Sequence, residues 1–272
     1  MSTRSGTTSG TVTVDRRAVP LAPATLVVAG ALLRAWSRSP VVLVQAIAFP
    51  AFLLAMFQLV LGKTVTAMGA GTSIYANAGL IALVSALYGS LATGLSFITE
   101  RESGVLSRHA TMPVPRAALL AGRLVAEAGR TAVSTALLLA MAVVLGLRFT
   151  QGPLAAAAAY LVPIAFGTAF ALVVLALAAV TAGTQMVQLF GGVFLLLMFF
   201  GTGFVPADQY PVWLQPIVRW QPLSPATDLM RGLTEGGPVA VPLLATALWI
   251  AGILAFAFPV ALRGFAGAAV RR

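Results

Sequence analysis

The segment from Glu100 to Arg116 holds the side chains of this chain best suited to polar chemistry: two carboxylates, three guanidinium groups and the single histidine, His109. Such groups form ion pairs, either with one another or with a second protein. A serine–histidine pair for nucleophilic catalysis would have to use His109, which we interpret instead as a solvated loop residue. The segment therefore favours a contact with a second protein over a catalytic centre.

Other motifs that would support an enzyme are missing from the sequence. A single histidine excludes a HExxH zinc site, no GxSxG nucleophile motif occurs, and without cysteine there is no thiolate chemistry. Gly62-Lys63-Thr64 resembles the end of a phosphate-binding loop, but Phe57 stands where the upstream glycine belongs. We predict no catalytic residue, no metal site and no cofactor bound by this chain.

Composition defines the surroundings of the charged segment. Of 272 residues, 59% are hydrophobic and 9% are charged, and the mean hydropathy is +0.96. Soluble domains have about a quarter of their residues charged, so the sequence predicts an integral membrane protein. The net charge of +10 does not indicate nucleic-acid binding, because the basic residues flank apolar runs.

Six apolar runs are long enough to cross the roughly 30 Å hydrocarbon core as helices. They are continuously apolar and longer than membrane strands, so the predicted fold is all-α. We expect the third helix to continue backward through Ala117 to Gly129 and to protrude into the aqueous phase. The runs contain no Asp, Glu, Lys, Arg or His, which disfavours a proton- or sodium-coupled carrier and makes uphill transport depend on another polypeptide. They are 41–61, 76–98, 131–147, 154–180, 187–205 and 241–262.

The region before the first run needs a separate interpretation. Residues 1–18 are rich in Ser, Thr and Gly and are predicted to be a disordered tail. Arg16-Arg17 before an apolar stretch resembles a twin-arginine secretion signal, but arginines follow where a cleavage region should be neutral. We favour an interfacial amphipathic helix within 19–39, from about Ala24 to Ser37. A six-helix transmembrane domain, 40–272, follows.

Basic residues also predict orientation. Cytoplasmic loops carry an excess of Arg and Lys, and cytoplasmic termini put thirteen basic residues inside and four outside. We therefore predict a multi-pass protein of the bacterial cytoplasmic membrane with both termini in the cytoplasm. The four outside are Lys63, Arg148, Arg219 and Arg231.

A charged stripe follows the loop. Arg116, Arg123 and Arg130 recur every seven residues, and Glu127 lies one turn from the last two, so the four share one narrow helix face. One interpretation is a solvated face with internal salt bridges. The other is a docking element for a soluble partner, and the pattern leaves both open.

The second span carries two pairs of small residues at helical spacing. Gly89 follows Ser85 by four residues, and Gly94 follows Ser90 by four. Such spacings let helices approach closely, so they predict tight helix packing, with a substrate groove as the alternative.

Two groups of motifs carry a resemblance to a known family. The first is Glu100-Arg101-Glu102-x-Gly104-x-Leu106-x-Arg108, Pro113-Val114-x-Arg116 and Arg123. The second is Gly203-Phe204-Val205-Pro206, Tyr210-Pro211-x-Trp213-Leu214-Gln215-Pro216, Gln221-Pro222-Leu223-Ser224 and Met230-Arg231-Gly232. Together they resemble type-2 ATP-binding-cassette (ABC) exporter permeases of the daunorubicin-resistance-type branch. That branch includes mycobacterial permeases that export complex lipids such as phthiocerol dimycocerosate, and the resemblance covers nearly the whole chain beyond residue 20.

The resemblance implies six spans, an amino-terminal interfacial helix, a cytoplasmic coupling helix after the second span and short outward helices before the sixth. The coupling helix would sit in a groove of a separate ATP-binding subunit. Four glycines would let the fifth span bend toward the outward loop, which is either a substrate gate or an ordinary extracytoplasmic loop: Gly191, Gly192, Gly201 and Gly203. Candidate ATPase-coupling residues are Glu100, Arg101, Glu102, Gly104, Leu106, Arg108, Pro113 and Arg116. Candidate outward-gate or interfacial residues are Pro206, Tyr210, Trp213, Trp220 and Arg231.

The function predicted is the permease subunit of an ATP-driven exporter that moves a hydrophobic or amphipathic cargo, such as a lipid, polyketide or drug, out of the cytoplasm or inner leaflet. ATP and Mg would be bound by two copies of a partner ATPase and not by this chain. A second permease chain is expected, with a paralogue slightly favoured over an identical copy. A passive membrane channel or scaffold and a lipid-modifying membrane enzyme are the alternatives.

Overall fold

A computed structural model describes residues 20–40, 44, 48, 50–56, 59, 73–104, 115–181 and 183–268. The regular elements of these residues are helical, because a helix satisfies its own backbone hydrogen bonds where lipid offers none. The all-α prediction is confirmed. The elements are α1 (Leu21–Ser37), α2 (Ser73–Glu102), α3 (Arg116–Val144), α4 (Pro153–Val180), α5 (Gln185–Phe199), a 3-10 turn (Ala207–Gln209), α6 (Gln215–Trp220), α7 (Leu223–Thr234) and α8 (Ala240–Ala268).

Four of the described helices, α2, α3, α4 and α8, are long and apolar enough to cross a membrane. They correspond to the second, third, fourth and sixth predicted spans, and α3 begins at Arg116, which confirms that the third span continues backward. Residues 50–56 of the first predicted span are helical, and Leu54 packs with Ile81 and Leu138. The rest of that span and the tail 1–18 lie outside the described residues.

Helix α4 forms the centre of the fold and lies against α2, α3, α7 and α8. It buries a continuous apolar face that meets α5 through Phe170 and Phe194, whose ring centroids are 5.3 Å apart. Val174 occupies the space beside Gly94 of α2, which confirms tight packing at one of the two small-residue pairs. In contrast, α8 is exposed along most of its apolar length, which leaves a surface for lipid or for another membrane protein.

The fifth predicted span differs from the helix that forms. The prediction ended it at Val205, but α5 ends at Phe199, and its 15 residues span about 22 Å, short of the hydrocarbon core. The chain turns at Gly201 to Gly203, where glycine weakens helix continuation. Gln221 Nε2 donates to the carbonyls of Leu197 (3.1 Å) and Phe200 (2.7 Å) and so satisfies the exposed end of α5.

Helix α1 confirms a helix within the predicted 19–39 segment, and its position at the bilayer surface stays a prediction. It packs along the first half of α3, where Val28 lies over Gly122 and Leu33 over Gly129. The absence of side chains at these two positions allows the helices to approach closely. This contact holds the charged half of α3 between α1 and the rest of the bundle.

Candidate functional site

The charged segment begins at the end of α2. Gly104 has φ of 73°, a left-handed conformation that favours glycine, and Ser103 N donates to the carbonyl of Thr99 (2.9 Å). A glycine in this conformation just past the last turn stops a helix. The chain therefore leaves α2 immediately after the Glu100-Arg101-Glu102 triplet.

Glu100 links α2 to α3. Arg123 donates through both terminal nitrogens to the carboxylate, with Nη1 3.4 Å from Oε1, and Ser96 Oγ donates to the same oxygen at 3.1 Å. The Arg123 guanidinium also lies 5.0 Å from the centroid of the Phe97 ring, a cation–π distance. Arg123 is 7% exposed, so this ion pair is largely shielded from solvent.

Arg101 links α2 to α4. Its Nη1 donates to the carbonyl of Ala178 (3.0 Å) and its Nη2 to the carbonyl of Thr181 (2.8 Å). These carbonyls close the carboxyl end of α4, where a cation also interacts favourably with the helix dipole. Glu102, the third member of the triplet, is exposed. Two of the three charges in the triplet therefore join α2 to neighbouring helices, and the third is exposed.

A second ion pair lies deeper between α2 and α3. Glu127 is fully buried, and its carboxylate accepts from Thr93 Oγ1 (2.6 Å), Thr131 Oγ1 (3.3 Å) and Arg130, through Nε at 3.1 Å and through Nη2. Carboxylate and guanidinium thus meet in a two-point ion pair, supported by two hydroxyl groups. A buried charge pair of this kind is tolerated because each charge finds a partner.

These contacts correct the interpretation of the charged stripe. Neither a solvated face nor a docking face describes Arg123 and Glu127, because both are buried against α2. An internal salt bridge does form, between Glu127 and Arg130, as the first interpretation predicted, whereas Arg123 pairs across the helices with Glu100. Periodicity identified the shared face, but it carries no information about what the face contacts.

The same contacts correct two statements about the membrane spans. The predicted bounds excluded Glu127 and Arg130, yet Glu127 bonds to Thr93, which lies inside the second predicted span. Ionisable groups therefore lie beside a span. Gly89, assigned to helix packing, instead leaves room for the Arg130 guanidinium, and a methyl group there would overlap it.

The region predicted to face outward folds around α7, whose residues are mostly buried among α2, α4 and α8. Thr202 makes hydrogen bonds to two residues that lie one turn apart near the start of α7. The Thr202 N–H donates to Ser224 Oγ (3.2 Å), and Thr202 Oγ1 donates to Asp228 (2.8 Å). Arg231 Nη2 donates to the Thr202 carbonyl at 3.3 Å. Burial raises the pKa of Asp228, and the Thr202 hydrogen bond and the charge of Arg231 oppose that shift.

The predicted outward residues divide into anchored and exposed groups. Tyr210 Oη donates to the carbonyl of Phe199 (3.1 Å), and burial raises its pKa. Trp213 and Trp220 are exposed, as is Pro206, while the Trp220 carbonyl accepts from Trp249 Nε1 of α8 at 2.9 Å. The exposed rings are consistent with an aromatic belt at a membrane surface.

The remaining predicted coupling residues lie at the edge of what the structure describes. Leu106, Arg108 and Pro113 fall outside the described residues, and Arg116 begins α3 without a described side chain. Sequence reasoning missed Thr93 and Ser96, which share one α2 face with Glu100 at spacings of seven and four residues. That spacing is the signal that could have matched them to the charges of α3.

Long apolar helices that are joined to one another by charged side chains define a polytopic membrane protein. The chain belongs to the ABC-2 type transporter family, whose model matches residues 24–234. It is 37% identical over 239 residues to the "Probable doxorubicin resistance ABC transporter permease protein DrrC" of Mycobacterium tuberculosis, covering 88% of this chain and 87% of that protein. It is 30% identical over 210 residues to the "Daunorubicin resistance ABC transporter permease protein DrrB1" of Streptomyces coeruleorubidus, covering 74% and 71%.

These relationships confirm the predicted family and its daunorubicin-resistance-type branch. The chain is the membrane permease subunit of an ABC exporter, and such permeases work with an ABC ATP-binding subunit. This relationship favours the exporter over the passive channel and the lipid-modifying enzyme.

Proposed function

We propose that this permease exports an amphipathic molecule, such as an anthracycline drug or a lipid, out of the cytoplasm or inner leaflet. The names of its relatives support a drug of the doxorubicin type. The chain has no ATPase site of its own in this proposal, and ATP and Mg bind to two copies of the partner subunit.

The segment 100–116 transmits the movement of that partner. The observation that carries this proposal is the different environment of the three charges at the end of α2. Glu100 is bound to α3 and Arg101 to α4, whereas Glu102 is exposed. A push on the segment would therefore reach three helices at once, because charged hydrogen bonds join them. Glu102 is free to contact the ATP-binding subunit directly.

The complex contains a second permease, because six spans are half of a usual exporter core. A paralogue is favoured slightly over an identical copy. Both termini and the segment 100–116 face the cytoplasm, and the residues around Pro206, Tyr210 and Arg231 face outward. The exposed rings of Trp213 and Trp220 then rest in the outer leaflet, where they flank the path of a cargo that leaves the membrane.

The coupling proposal is tested by Glu102→Ala in the complete complex. Doxorubicin-stimulated ATP hydrolysis is measured in proteoliposomes, and unfolding temperature is measured in detergent. We expect stimulated hydrolysis to fall while the unfolding temperature stays unchanged, because Glu102 is exposed. The matched control is Glu235→Ala, which removes an exposed carboxylate at the end of α7. Equal hydrolysis in the Glu102 variant and the wild type would refute the assigned contact.

A further inference from the structure

A narrow polar crevice lies between α2 and α3, directly beyond the buried ion pair. Its wall includes Arg130, Thr131, Ser134 and Thr135 from α3 and Ser85 from α2, together with alanines and a leucine. The crevice is narrower than a water molecule in this structure. These polar side chains are concentrated between two apolar helices. Polar side chains in such a place are energetically costly, and they usually have a function.

Ser134 gives the crevice an unused hydrogen-bonding group. It is 6% exposed, and its Oγ has no hydrogen-bond partner among the described residues. Hydroxyl groups in apolar helices normally donate to the carbonyl one turn earlier, as Thr168 and Thr246 do here, both at 2.7 Å. Since water does not fit beside it, the Ser134 hydroxyl is left unsatisfied in this conformation. Native proteins seldom bury such a group without a use.

Arg130 supplies a second donor at the same crevice. Glu127 accepts from Nε and Nη2 of the guanidinium, whereas Nη1 makes no hydrogen bond to a described residue. Gly89 leaves the space in which the guanidinium lies, with Nη2 nearest to the glycine and Nη1 farther away. A hydroxyl and a guanidinium N–H together match an oxygen acceptor. The alanines and leucine of the wall match an apolar body attached to it.

We propose that this crevice binds the oxygen-bearing polar group of an amphipathic molecule when α2 and α3 separate. The occupant is the exported molecule itself, so the inference rests on the proposed function and extends it to a site. Carbonyl, hydroxyl and phosphate oxygens share the required acceptor chemistry, and they occur on anthracyclines and on phospholipids alike. Closure of the helices on ATP-driven movement would return Ser134 to its unpaired state and release the occupant.

The test compares Ser134→Ala with the wild type in the complete complex in detergent. Doxorubicin and phosphatidylglycerol are titrated separately, and the rise in unfolding temperature reports binding. We expect one of the two ligands to stabilise the wild type. Ser134→Ala should need a concentration of that ligand about 3- to 10-fold higher for the same stabilisation, which corresponds to the loss of one hydrogen bond. Stabilisation by doxorubicin assigns a drug site, and stabilisation by the phospholipid alone assigns a lipid site.

Ser90→Ala is the matched control, because Ser90 is also buried but donates to the carbonyl of Leu87 at 2.6 Å. It should lower the unfolding temperature and leave the titration midpoint unchanged. Without ligand, Ser134→Ala should be at least as stable as the wild type, because it removes an unpaired hydroxyl. Equal midpoints in Ser134→Ala and the wild type, no stabilisation by either ligand, or loss of folding in Ser134→Ala would each overturn the site. A Ser134-dependent shift without ATP-driven export would instead overturn the proposed function alone.

Discussion

Gly89→Ala isolates the role of the buried ion pair from ordinary helix packing. The new methyl group would overlap the Arg130 guanidinium, which lies over the glycine and donates to Glu127. Arg130 must then leave its position, and Glu127, which is fully buried, loses its charged partner. The substitution therefore changes stability through the Glu127–Arg130 ion pair and not through the backbone of α2.

The magnitude follows from two opposing effects. Breaking a buried pair by removing one partner costs about 3–5 kcal/mol. Alanine stabilises a helix interior by about 1 kcal/mol relative to glycine. We therefore expect Gly89→Ala to lower the free energy of unfolding by up to about 2–4 kcal/mol, the limit reached when the displaced Arg130 loses Glu127 completely. Alanine in place of a helical glycine that has no close neighbour would instead raise the free energy of unfolding.

The assay is thermal unfolding of the purified complex in detergent, carried out as a mutant cycle. Gly89→Ala is compared in the wild-type background and in a Glu127→Gln/Arg130→Ala background, in which the space is already vacant. In the second background the alanine should be neutral or stabilising, because residues in contact are not additive. An equal loss of stability in both backgrounds, or a gain in the wild type, would refute the reasoning.

Three further substitutions give distinct outcomes. Arg101→Ala removes two charged hydrogen bonds to α4 carbonyls, so it should lower stability by about 1.5–3 kcal/mol, while an unchanged melting curve would contradict that role. Trp249→Phe removes the donor to the Trp220 carbonyl and should cost about 0.5–1.5 kcal/mol in the same assay, with faster proteolysis between α6 and α7. Burial raises the pKa of Asp228, so folding favours the protonated carboxyl. The contribution of this group to the free energy of unfolding is therefore lost as pH rises. The unfolding temperature of the wild type should therefore fall relative to that of Asp228→Asn as pH rises above the ordinary aspartate pKa of about 4, and a constant difference would argue against the shift.

Hydropathy predicted the long helices because a chain within lipid must form its backbone hydrogen bonds internally. The start of α3 at Arg116 also agrees with the helical pattern that continues backward from the third apolar run. It failed at the end of α5, since the apolar run continues past Phe199 while Gly201 and the Gln221 side chain end the helix. Periodicity found the face shared by Arg123 and Glu127 but not its burial. Whether a charged face meets water or another helix depends on the partner helix, which a single helix pattern does not contain.

The region between α5 and α8 also could be predicted only in part. The aromatic and proline residues between α5 and α8 indicated an interfacial segment, and Trp213 and Trp220 are exposed as such a segment requires. The burial of α7 was not predicted, because its mixed polar sequence does not resemble a core helix. Its polar groups are satisfied by long-range contacts, among them that of Asp228 with Thr202, and pairing at a separation of 26 residues has no local signal.

Transport in sealed vesicles tests the central claim most directly. Doxorubicin accumulation is measured in inside-out proteoliposomes that contain this permease with or without its ATP-binding subunit and second permease. We predict accumulation against a gradient in the complete complex with ATP, and none when the ATP-binding subunit is left out or ATP is replaced by a non-hydrolysable analogue. Accumulation against a gradient by the permease alone would contradict an exporter driven from the cytoplasmic side by a separate ATPase.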